Sequence, residues 1–303
     1  MNNKVDRRGL VAAFGAYGLW GVFPLYFHLL SRSSALEIVA HRIWWTLVFC
    51  AIGITVMGAW AKVRQVFADR RLFAVLLGAG VLVSLNWLIY IYAVVTDQVV
   101  DAALGYFMNP LVTVVIAMFA LRERINRAQL VALGVGLAAV LVISIGVGWI
   151  PWLGLGLALT FGFYSLAKNK VGRRVTGFIG LGVEALALAP LSGAYIIFLE
   201  VTGRGSLTTI SVGYASLLIA AGVVTAIPLL CFAVGAARLR LVSLALIQYV
   251  TPVMQFLIGV IVFHESMPLV RWIGFILVWI ALVVLSWDMA RTARRSASAE
   301  LTQ

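Results

Sequence analysis

The chain has 303 residues, of which 63% are hydrophobic and 11% are charged, and its mean hydropathy is +1.06. Soluble domains carry about a quarter charged residues, so this composition excludes an ordinary soluble protein and indicates a membrane protein. The net charge of +12 comes from short basic clusters between apolar runs, which is not the continuous basic surface of a nucleic-acid-binding domain. The two cysteines, Cys50 and Cys231, lack the CxxC spacing typical of disulfide or zinc frameworks.

Long apolar runs follow one another along the chain. A helix needs about 20 residues to cross the hydrocarbon core of a bilayer, and breaks at charged residues, Pro, Gly and Ser divide the chain into runs of about that length. The first run follows a short basic tail without an A-x-A-like cleavage signal, so we expect it to be retained as a helix. We predict an all-α integral membrane protein with ten transmembrane helices, at residues 9–30, 36–58, 72–95, 99–120, 127–146, 150–168, 177–199, 211–236, 240–263 and 268–289.

Lys and Arg are distributed unevenly between the two sides that these spans define. Of the 23 such residues, 19 lie in the tails and loops of one side and three on the other, while Arg42 lies within a span. Cytoplasmic segments carry the excess of Lys and Arg, so we expect a multi-pass inner-membrane protein with cytoplasmic tails at residues 1–8 and 290–303. A miscounted span would have scrambled this alternation, so the charges support the count of ten independently of hydropathy.

The two halves of the chain form an internal repeat. A shift of 142 residues aligns the fourth and fifth spans with the ninth and tenth, and a shift of 147 aligns the start of the chain with the sixth and seventh spans. Repeats of five spans, residues 9–146 and 147–289, must enter the membrane in opposite directions, which is typical of secondary transporters. A duplicated membrane enzyme could leave the same trace. The aligned pairs include Pro110 and Pro252, Glu123 and Glu265, and Glu37 and Glu184.

Polar side chains inside the spans mark the candidate substrate site, because burying them in a bilayer is costly unless they face a cavity or another helix. Each of two equivalent polar faces adjoins a proline, whose missing N–H is expected to free the carbonyl four residues earlier for a substrate. The alternative is that both faces only join helices through hydrogen bonds. The faces are formed by Tyr106, Asn109 and Thr113 in the fourth span, and by Gln248, Thr251 and Gln255 in the ninth.

Further candidates for substrate binding are aromatic or lie beside an aromatic residue. Aromatic rings can stack on an apolar solute or hold a cation, although helix packing would also explain them. A lysine and a tyrosine at the end of the sixth span could bind a carboxylate, or the lysine could anchor the helix at the cytoplasmic surface. These candidates are Tyr17 and Trp20 in the first span, Asn86 and Tyr90 in the third, and Tyr164 and Lys168 in the sixth.

The stretch EIVAHRIWW places three ionisable residues at the start of the second span. Glu37 and His41 are four residues apart, so they share a helix face and can pair, while Arg42 is expected to snorkel to lipid phosphates. With Asp101 at the start of the fourth span, they are candidates for an outer gate or for ion coupling, and helix anchoring is the alternative. His41 is the residue whose ordinary pKa lies near neutrality, which motivates a hypothesis of proton coupling.

Several sequence blocks together resemble a known family. The blocks are GLWGVFPLYF, EIVAHRIWW, NWLIYIYAV, ALGYFMNPL, LTFGFYSLAKNK, and VTAIPLLCFAVGAARLRL followed by LIQYVTP. In this order they resemble the RarD subfamily of the EamA-type drug/metabolite transporter superfamily, over nearly the whole chain. The resemblance implies an inner-membrane permease with a cavity lined by the first, third, fourth, sixth, eighth and ninth helices. It leaves the substrate open, since the wider family moves amino acids and other metabolites.

These patterns predict a secondary active transporter that moves small metabolites or drugs by alternating access. No Gly-rich phosphate loop follows a strand, and the three histidines show no metal spacing, so we expect no cofactor, no metal and no enzymatic activity. The expected partners are the lipid bilayer, a small-molecule substrate and protons, and not nucleic acid. A passive channel, a lipid-handling protein and a membrane-embedded enzyme are the alternatives.

Overall fold

A computed structural model describes residues 6–120, 122, 125–171, 174–239, 244 and 246–300. Within these ranges the regular secondary structure is helical, as predicted. The helices are α1 (Arg7–Gly21), α2 (Phe23–His28), α3 (Ala35–Val56), α4 (Trp60–Ala68), α5 (Arg70–Val95), α6 (Val99–Ala120), α7 (Arg127–Val147), α8 (Trp152–Val171), α9 (Gly177–Val201), α10 (Ser206–Thr209), α11 (Val212–Arg238), α12 (Val250–Leu257) with a π-helical turn (Ile258–Val262), and α13 (Leu269–Glu300).

Eight helical segments of the described chain are long and apolar enough to cross a membrane, so the protein is a multi-pass membrane protein. The first of these segments is α1 together with α2, and the others are α3, α5, α6, α7, α9, α11 and the apolar part of α13. Two predicted spans do not meet this standard. α8 carries Lys168 and Lys170 in its last turn, and the apolar helix Val250–Val262 is short. Each of these two predicted spans nevertheless contains a helix, α8 in the sixth and Val250–Val262 in the ninth.

The first and ninth predicted spans are interrupted. α1 and α2 meet at Val22, and Pro24 lies in the first turn of α2, where its missing N–H breaks the regular hydrogen bonding. The prediction of one continuous helix over 240–263 is wrong, because a turn at residues 248–249 precedes α12, which then continues into the π-helical turn. Interrupted helices and π-turns are frequent at the functional sites of transporters.

A short helix, α4, lies between the second and third predicted spans, where the sequence predicts a loop. Val63 and Val66 are buried, whereas Lys62 and Arg64 are exposed. The helix therefore presents one apolar face to the bundle. Its few turns are too short to stand out in a pattern dominated by much longer apolar runs.

Helices that are distant in the sequence pack against each other across the bundle. α1 contacts α11 and α12, while α8 contacts α5 and α6. α3 contacts α9 and α11, α5 also contacts α9, α6 contacts α12, and α7 packs on α13. A hydrophobic core with Phe27, Ile91 and Leu218 at its centre joins α2, α5 and α11. The candidate site residues lie around this core.

Two glycines allow close helix crossings. A Cβ on Gly222 in α11 would overlap the backbone carbonyl of Trp45 in α3. A Cβ on Gly80 in α5 would lie 3.3 Å from the Cβ of Glu184 in α9. These two glycines are 142 residues apart, which is the shift of the predicted repeat. Small residues at helix crossings are typical of membrane bundles, because they let the backbones approach.

We expect Gly222→Ala to destabilise the protein, because the backbone of α3 cannot yield to the added methyl group as a flexible side chain would. Overpacking of this kind costs about 1–3 kcal/mol. The matched control is Gly78→Ala on α5, since a Cβ there meets nothing within 4 Å. That change should be neutral or stabilise by up to about 1 kcal/mol through helix propensity. Thermal unfolding in detergent would measure both, and equal melting temperatures for the two variants would contradict the close crossing.

Candidate functional site

Four aromatic side chains form the centre of the candidate site. The Tyr90 ring in α5 lies 6.1 Å from Phe27 in α2 and 5.7 Å from Tyr106 in α6. Tyr26 packs on Phe27 at 5.0 Å, and its hydroxyl donates to the carbonyl of Leu217 in α11. Tyr90 is 2% exposed, so this centre is closed to solvent in the described state.

Asn86 lies one turn before Tyr90 on α5 and joins two helices. Its Nδ2 donates to the Leu157 carbonyl at 3.0 Å and to Thr160 Oγ1 at 2.9 Å, both in α8. The side chain is 3% exposed. These contacts favour the helix-joining interpretation for Asn86, because its amide donor is already occupied.

Gln255 and Thr251 join α12 to α1. Pro24 cannot donate to the carbonyl of Trp20 four residues earlier, and Gln255 Nε2 donates to that carbonyl at 3.1 Å. The same amide lies 3.4 Å from the Tyr90 hydroxyl, while Thr251 donates to the Tyr17 carbonyl at 2.7 Å. Gln255 Oε1 is buried and has no hydrogen-bond partner among the described residues. The helix-joining interpretation therefore holds for Thr251 and for one end of the Gln255 amide.

The expected free carbonyl at Gln248 is not present. This oxygen accepts from the backbone N–H of Thr251 at 3.2 Å, because the chain tightens into a turn there. The predicted face of the fourth span is also divided, since Thr113 is exposed whereas Asn109 is half-buried. Asn109 Oδ1 is buried without a hydrogen-bond partner among the described residues.

Tyr17 and Trp20 lie on α1 next to the eighth predicted span. Their rings are 5.4 Å apart, and each lies 6.0 Å from the ring of Phe232 in α11. Tyr17 is buried and Trp20 is half-buried. This aromatic cluster adjoins the Tyr90 group through Gln255, so the candidates from the first, third, fourth and ninth predicted spans converge.

Arg42 is buried, and the prediction that it snorkels to lipid phosphates is wrong. Its side chain is 4% exposed. The guanidinium carbon lies 4.0 Å from the centre of the Trp87 ring and 5.2 Å from that of Phe27. Its Nε donates to Thr225 Oγ1 in α11 at 2.8 Å. Arg42 points inward because α2, α5 and α11 pack around this part of α3.

The predicted pairing of Glu37 with His41 is also wrong. Glu37 Oε1 accepts from the Ser206 backbone N–H at 2.6 Å and Oε2 accepts from the Ser206 hydroxyl at 3.1 Å. The carboxylate thus binds the first residue of α10, where helix N–H groups favour negative charge. Both ring nitrogens of His41 are buried and have no hydrogen-bond partner within the described ranges.

Lys168 pairs with Glu184, a residue that the site prediction omitted. Lys168 Nζ lies 2.6 Å from Glu184 Oε1, and the glutamate is 1% exposed. The lysine charge is therefore already neutralised, which weakens the prediction that Lys168 and Tyr164 receive a substrate carboxylate. Glu184 Oε2 has no partner among the described residues, and the side chain lines a cavity of about 10 Å3 beside Trp87. Such a volume holds about one water molecule.

A second group of carboxylates lies at the end of the bundle that is poor in Lys and Arg. We call this the arginine-poor end; it comprises residues 29–34, 96–98, 148–151, 202–211 and 263–268, together with the helix turns that adjoin them. The opposite end, with both tails, is the basic end.

Glu265, at the arginine-poor end, accepts from the backbone N–H groups of Val99 and Val100, the latter at 3.0 Å, at the start of α6. Asp101, in the first turn of α6, pairs with Arg271 at 3.3 Å. The repeat partner of Glu265, Glu123, lies outside the described residues.

Comparisons with known proteins identify the family of the chain. Residues 7–145 match the EamA-like transporter family. The chain is 44% identical to Protein RarD of Streptomyces exfoliatus, over 96% of this chain and 92% of that protein. The chain belongs to the RarD proteins of the EamA-like transporter family. It is also 38% identical to an uncharacterized transporter of Vibrio cholerae over 93% of both chains. A solved crystal structure with 19% identity and a TM-score of 0.60, covering 91% of this chain and 96% of its own, shares the fold.

In this RarD-family chain, most of the predicted candidates converge on the bundle centre, but five lie elsewhere. Glu37 and Asp101 lie at the arginine-poor end, and Thr113 is exposed. Lys168 pairs with Glu184, and Tyr164 lies one turn before Lys168 on α8. Sequence reasoning missed Trp87, Thr225 and Glu184 as site residues. The signal for Glu184 was available, because a carboxylate inside an apolar span is costly unless it has a partner. Trp87 and Thr225 carried no comparable signal.

The arginine-poor end of the RarD-family protein should respond to pH through Glu265. The pKa of Glu265 is raised to about 7, chiefly by burial and also by Asp101, although the Val100 and Val99 N–H groups and Arg271 act to lower it. The ordinary value is 4.5. The packed arrangement therefore binds a proton more tightly than a solvated carboxylate does. The packing of Glu265 on α6 is favoured at low pH and weakens as the pH rises from about 4.5 to about 7.

Thiol labelling measures how far the packing of Glu265 on α6 loosens as the pH rises. Ala102 is fully buried in the first turn of α6, two residues after Val100, whose N–H binds Glu265. In a variant without Cys50 and Cys231 we therefore expect labelling of Ala102→Cys to increase across this pH range. The rate is divided by that of Thr96→Cys, an exposed site that reports the pH dependence of the thiol itself. The ratio should lose its pH dependence in Glu265→Gln. A ratio that is already flat with Glu265 present would contradict the assignment.

Proposed function

We propose that this RarD-family protein is a secondary active transporter of small metabolites or drugs, built from ten transmembrane helices in two inverted repeats, residues 9–146 and 147–289. In the proposed repeats, each helix of the first half has an equivalent in the second. α1 corresponds to α8, α3 to α9, α5 to α11, α6 to α12 and α7 to α13. The contacts of α1 with α11 and α12 then have counterparts in those of α8 with α5 and α6. Likewise, the α3 to α11 crossing has its counterpart in the α9 to α5 crossing. This exchange symmetry is the main support for the proposal, because transporters place their substrate between such repeats.

Alternating access requires contacts that close each end of the bundle in turn. At the arginine-poor end, Glu265 and Glu37 bind backbone N–H groups of the other repeat. At the basic end, Asp6 pairs with Arg238 of the other repeat at 3.3 Å, with both side chains partly exposed. Exposed ion pairs contribute about 0–1 kcal/mol, so the basic end has the weaker of these two closures. We propose that the central site opens to one end at a time.

The proposed orientation places the basic end in the cytoplasm and the protein in the inner membrane. Support comes from the 19 Lys and Arg residues assigned to that side, against three on the other. The tails, including residues 1–8, are then cytoplasmic, and the arginine-poor end faces outward.

The central aromatic group is the proposed substrate site. Tyr90, Tyr106 and Trp20 offer rings, while Asn109 and Gln255 each have a buried side-chain oxygen without a partner among the described residues. Such an oxygen can accept a hydrogen bond from a substrate, and an unmade bond is costly in a buried site. Gln248 is half-buried in the turn before α12, and its carbonyl accepts from the N–H of Thr251, whose hydroxyl binds the Tyr17 carbonyl.

We expect Asn109→Ala and Gln248→Ala to lower flux roughly tenfold or more while leaving expression and melting temperature near wild type. The matched control is Ser216→Ala, which removes an exposed hydroxyl on α11 that binds only the Val212 carbonyl. A thermal-shift screen of purified protein against amino acids, amphenicols and aromatic metabolites selects the flux probe, because ligand binding raises the melting temperature. Wild-type flux in both site variants would remove this site assignment. A probe that binds but never crosses sealed vesicles would remove the transport function.

Proton coupling is proposed through Glu184, whose Oε2 has no partner in the described structure and whose Oε1 meets Lys168. An imposed pH gradient should then accelerate net flux in vesicles, because the carboxylate can exchange a proton as the Lys168 contact changes. We expect Glu184→Gln to lose this acceleration but to retain exchange of the probe at equal concentrations. Its repeat counterpart Glu37 is the control, since both Glu37 oxygens bind Ser206 and Glu37→Gln should keep the pH response. Net flux that is indifferent to the gradient in wild type would exclude proton coupling.

A further inference from the structure

A buried arginine at the bundle centre has no counter-ion among the residues that the structure describes. Arg42 is 4% exposed, and the ion pairs of the described residues involve other cations. The two buried glutamates of the spans are already engaged, Glu37 with Ser206 and Glu184 with Lys168. A buried charge without compensation is strongly destabilising, so natural proteins retain one where it has a use.

The neighbours of Arg42 leave one edge of its guanidinium available. Trp87, Phe27 and Phe23 lie 4.0, 5.2 and 5.6 Å from the guanidinium carbon to their ring centres. The Nε edge donates to Thr225 at 2.8 Å. Nη1 is buried and has no hydrogen-bond partner in the described part of the chain. A ligand for Arg42 must therefore bind the Nη1 edge, and the fork of a guanidinium matches the paired oxygens of a carboxylate or phosphate.

We propose that the transported substrate is an organic anion with a planar, apolar body, and that its carboxylate or phosphate binds Arg42 Nη1. The proposal rests on the transport function above and adds the substrate class. The body of such an anion would lie against the Tyr90 and Tyr106 rings, which belong to the same core as Phe27. The Tyr90 oxygen accepts from Gln255, which leaves its hydroxyl hydrogen for a second oxygen of the anion.

A purely structural role explains Arg42 less well. The predicted repeat places Ala189 at the equivalent position of α9, and Ala189 is buried as well. The other half therefore builds the same helix without a cation. Lipid contact is also excluded as the reason, since the guanidinium lies among α2, α5 and α11 rather than at the lipid surface.

The same charge discriminates against other classes of solute. A cation would meet Arg42 without an acidic partner, and a zwitterion would have to bury its ammonium group beside the guanidinium. Both Glu37 oxygens already bind Ser206, and the charge of Glu184 is already paired with Lys168. Like charges in a medium of low dielectric repel strongly, so net negative charge is the expected property of the substrate.

The test uses sealed vesicles containing the full chain, loaded with a water-soluble extract of bacterial cells. Mass spectrometry identifies the compounds that leave faster than from empty vesicles. We expect those compounds to carry net negative charge at pH 7, and their structures separate carboxylates from phosphates. Transported compounds that are neutral, zwitterionic or cationic would overturn the substrate class while leaving the transport function intact. If no compound leaves faster than from empty vesicles, the transport function itself fails and the substrate class fails with it.

Substitutions then assign the selectivity to Arg42. Arg42→Met should reduce efflux of those anions at least tenfold, and Arg42→Lys should retain part of it because the charge is kept. Arg32→Met removes an exposed arginine near the same end of α3 and should leave efflux unchanged. Anion efflux at the wild-type rate in a folded Arg42→Met variant would overturn the role of Arg42. If Arg42→Met does not fold, the Arg42→Lys variant decides, since a shift in relative efflux between carboxylates and phosphates is expected only when residue 42 binds the anion.

Discussion

Within a bilayer, a backbone carbonyl without its helical partner has no water to bind, and this constraint organises the centre of the bundle. Pro24 breaks the first predicted span and releases the Trp20 carbonyl. Gln255, from the opposite end of the chain, satisfies it at 3.1 Å. The same glutamine reaches the Tyr90 hydroxyl, so one amide ties α12 to α1 and α5. The break in one helix is therefore the reason for a polar side chain in another, and the two meet where the aromatic site is built.

Among the described residues, the charged side chains in and beside the spans fall into two groups. Three carboxylates have partners within the protein, whereas Arg42 has no counter-ion. Glu37, Asp101 and Glu265 each bind a helix start or an arginine at the arginine-poor end. Their carboxylate oxygens are bound within the protein, and their contacts join segments of the two proposed repeats. Arg42 differs because aromatic faces and a hydroxyl surround it. The carboxylates therefore help to hold the bundle together, whereas Arg42 gives its centre a positive potential.

Hydropathy and periodicity predicted where the helices lie, because an apolar run of about 20 residues has few alternatives to a helix in a membrane. They also located Gln255 and Tyr90, since polar groups in such runs stand out. They failed where a partner comes from a different helix. Burial of Arg42 depends on α2, α5 and α11, and Lys168 in the last turn of α8 pairs with Glu184 in the next helix, α9. The turn before α12 also escaped prediction, because apolar residues continue through it.

The crossing at Gly222 has a consequence for how the molecule can move. At Gly222 the backbone of α11 lies directly against the carbonyl of Trp45 in α3. No side chain separates the two helices there, so none can change its conformation to let one helix slide or tilt on the other. α3 and α11 must therefore travel as one piece, although one comes from residues 9–146 and the other from 147–289. The boundary along which this bundle parts is consequently not the boundary between the two proposed repeats, and each moving body contains helices from both.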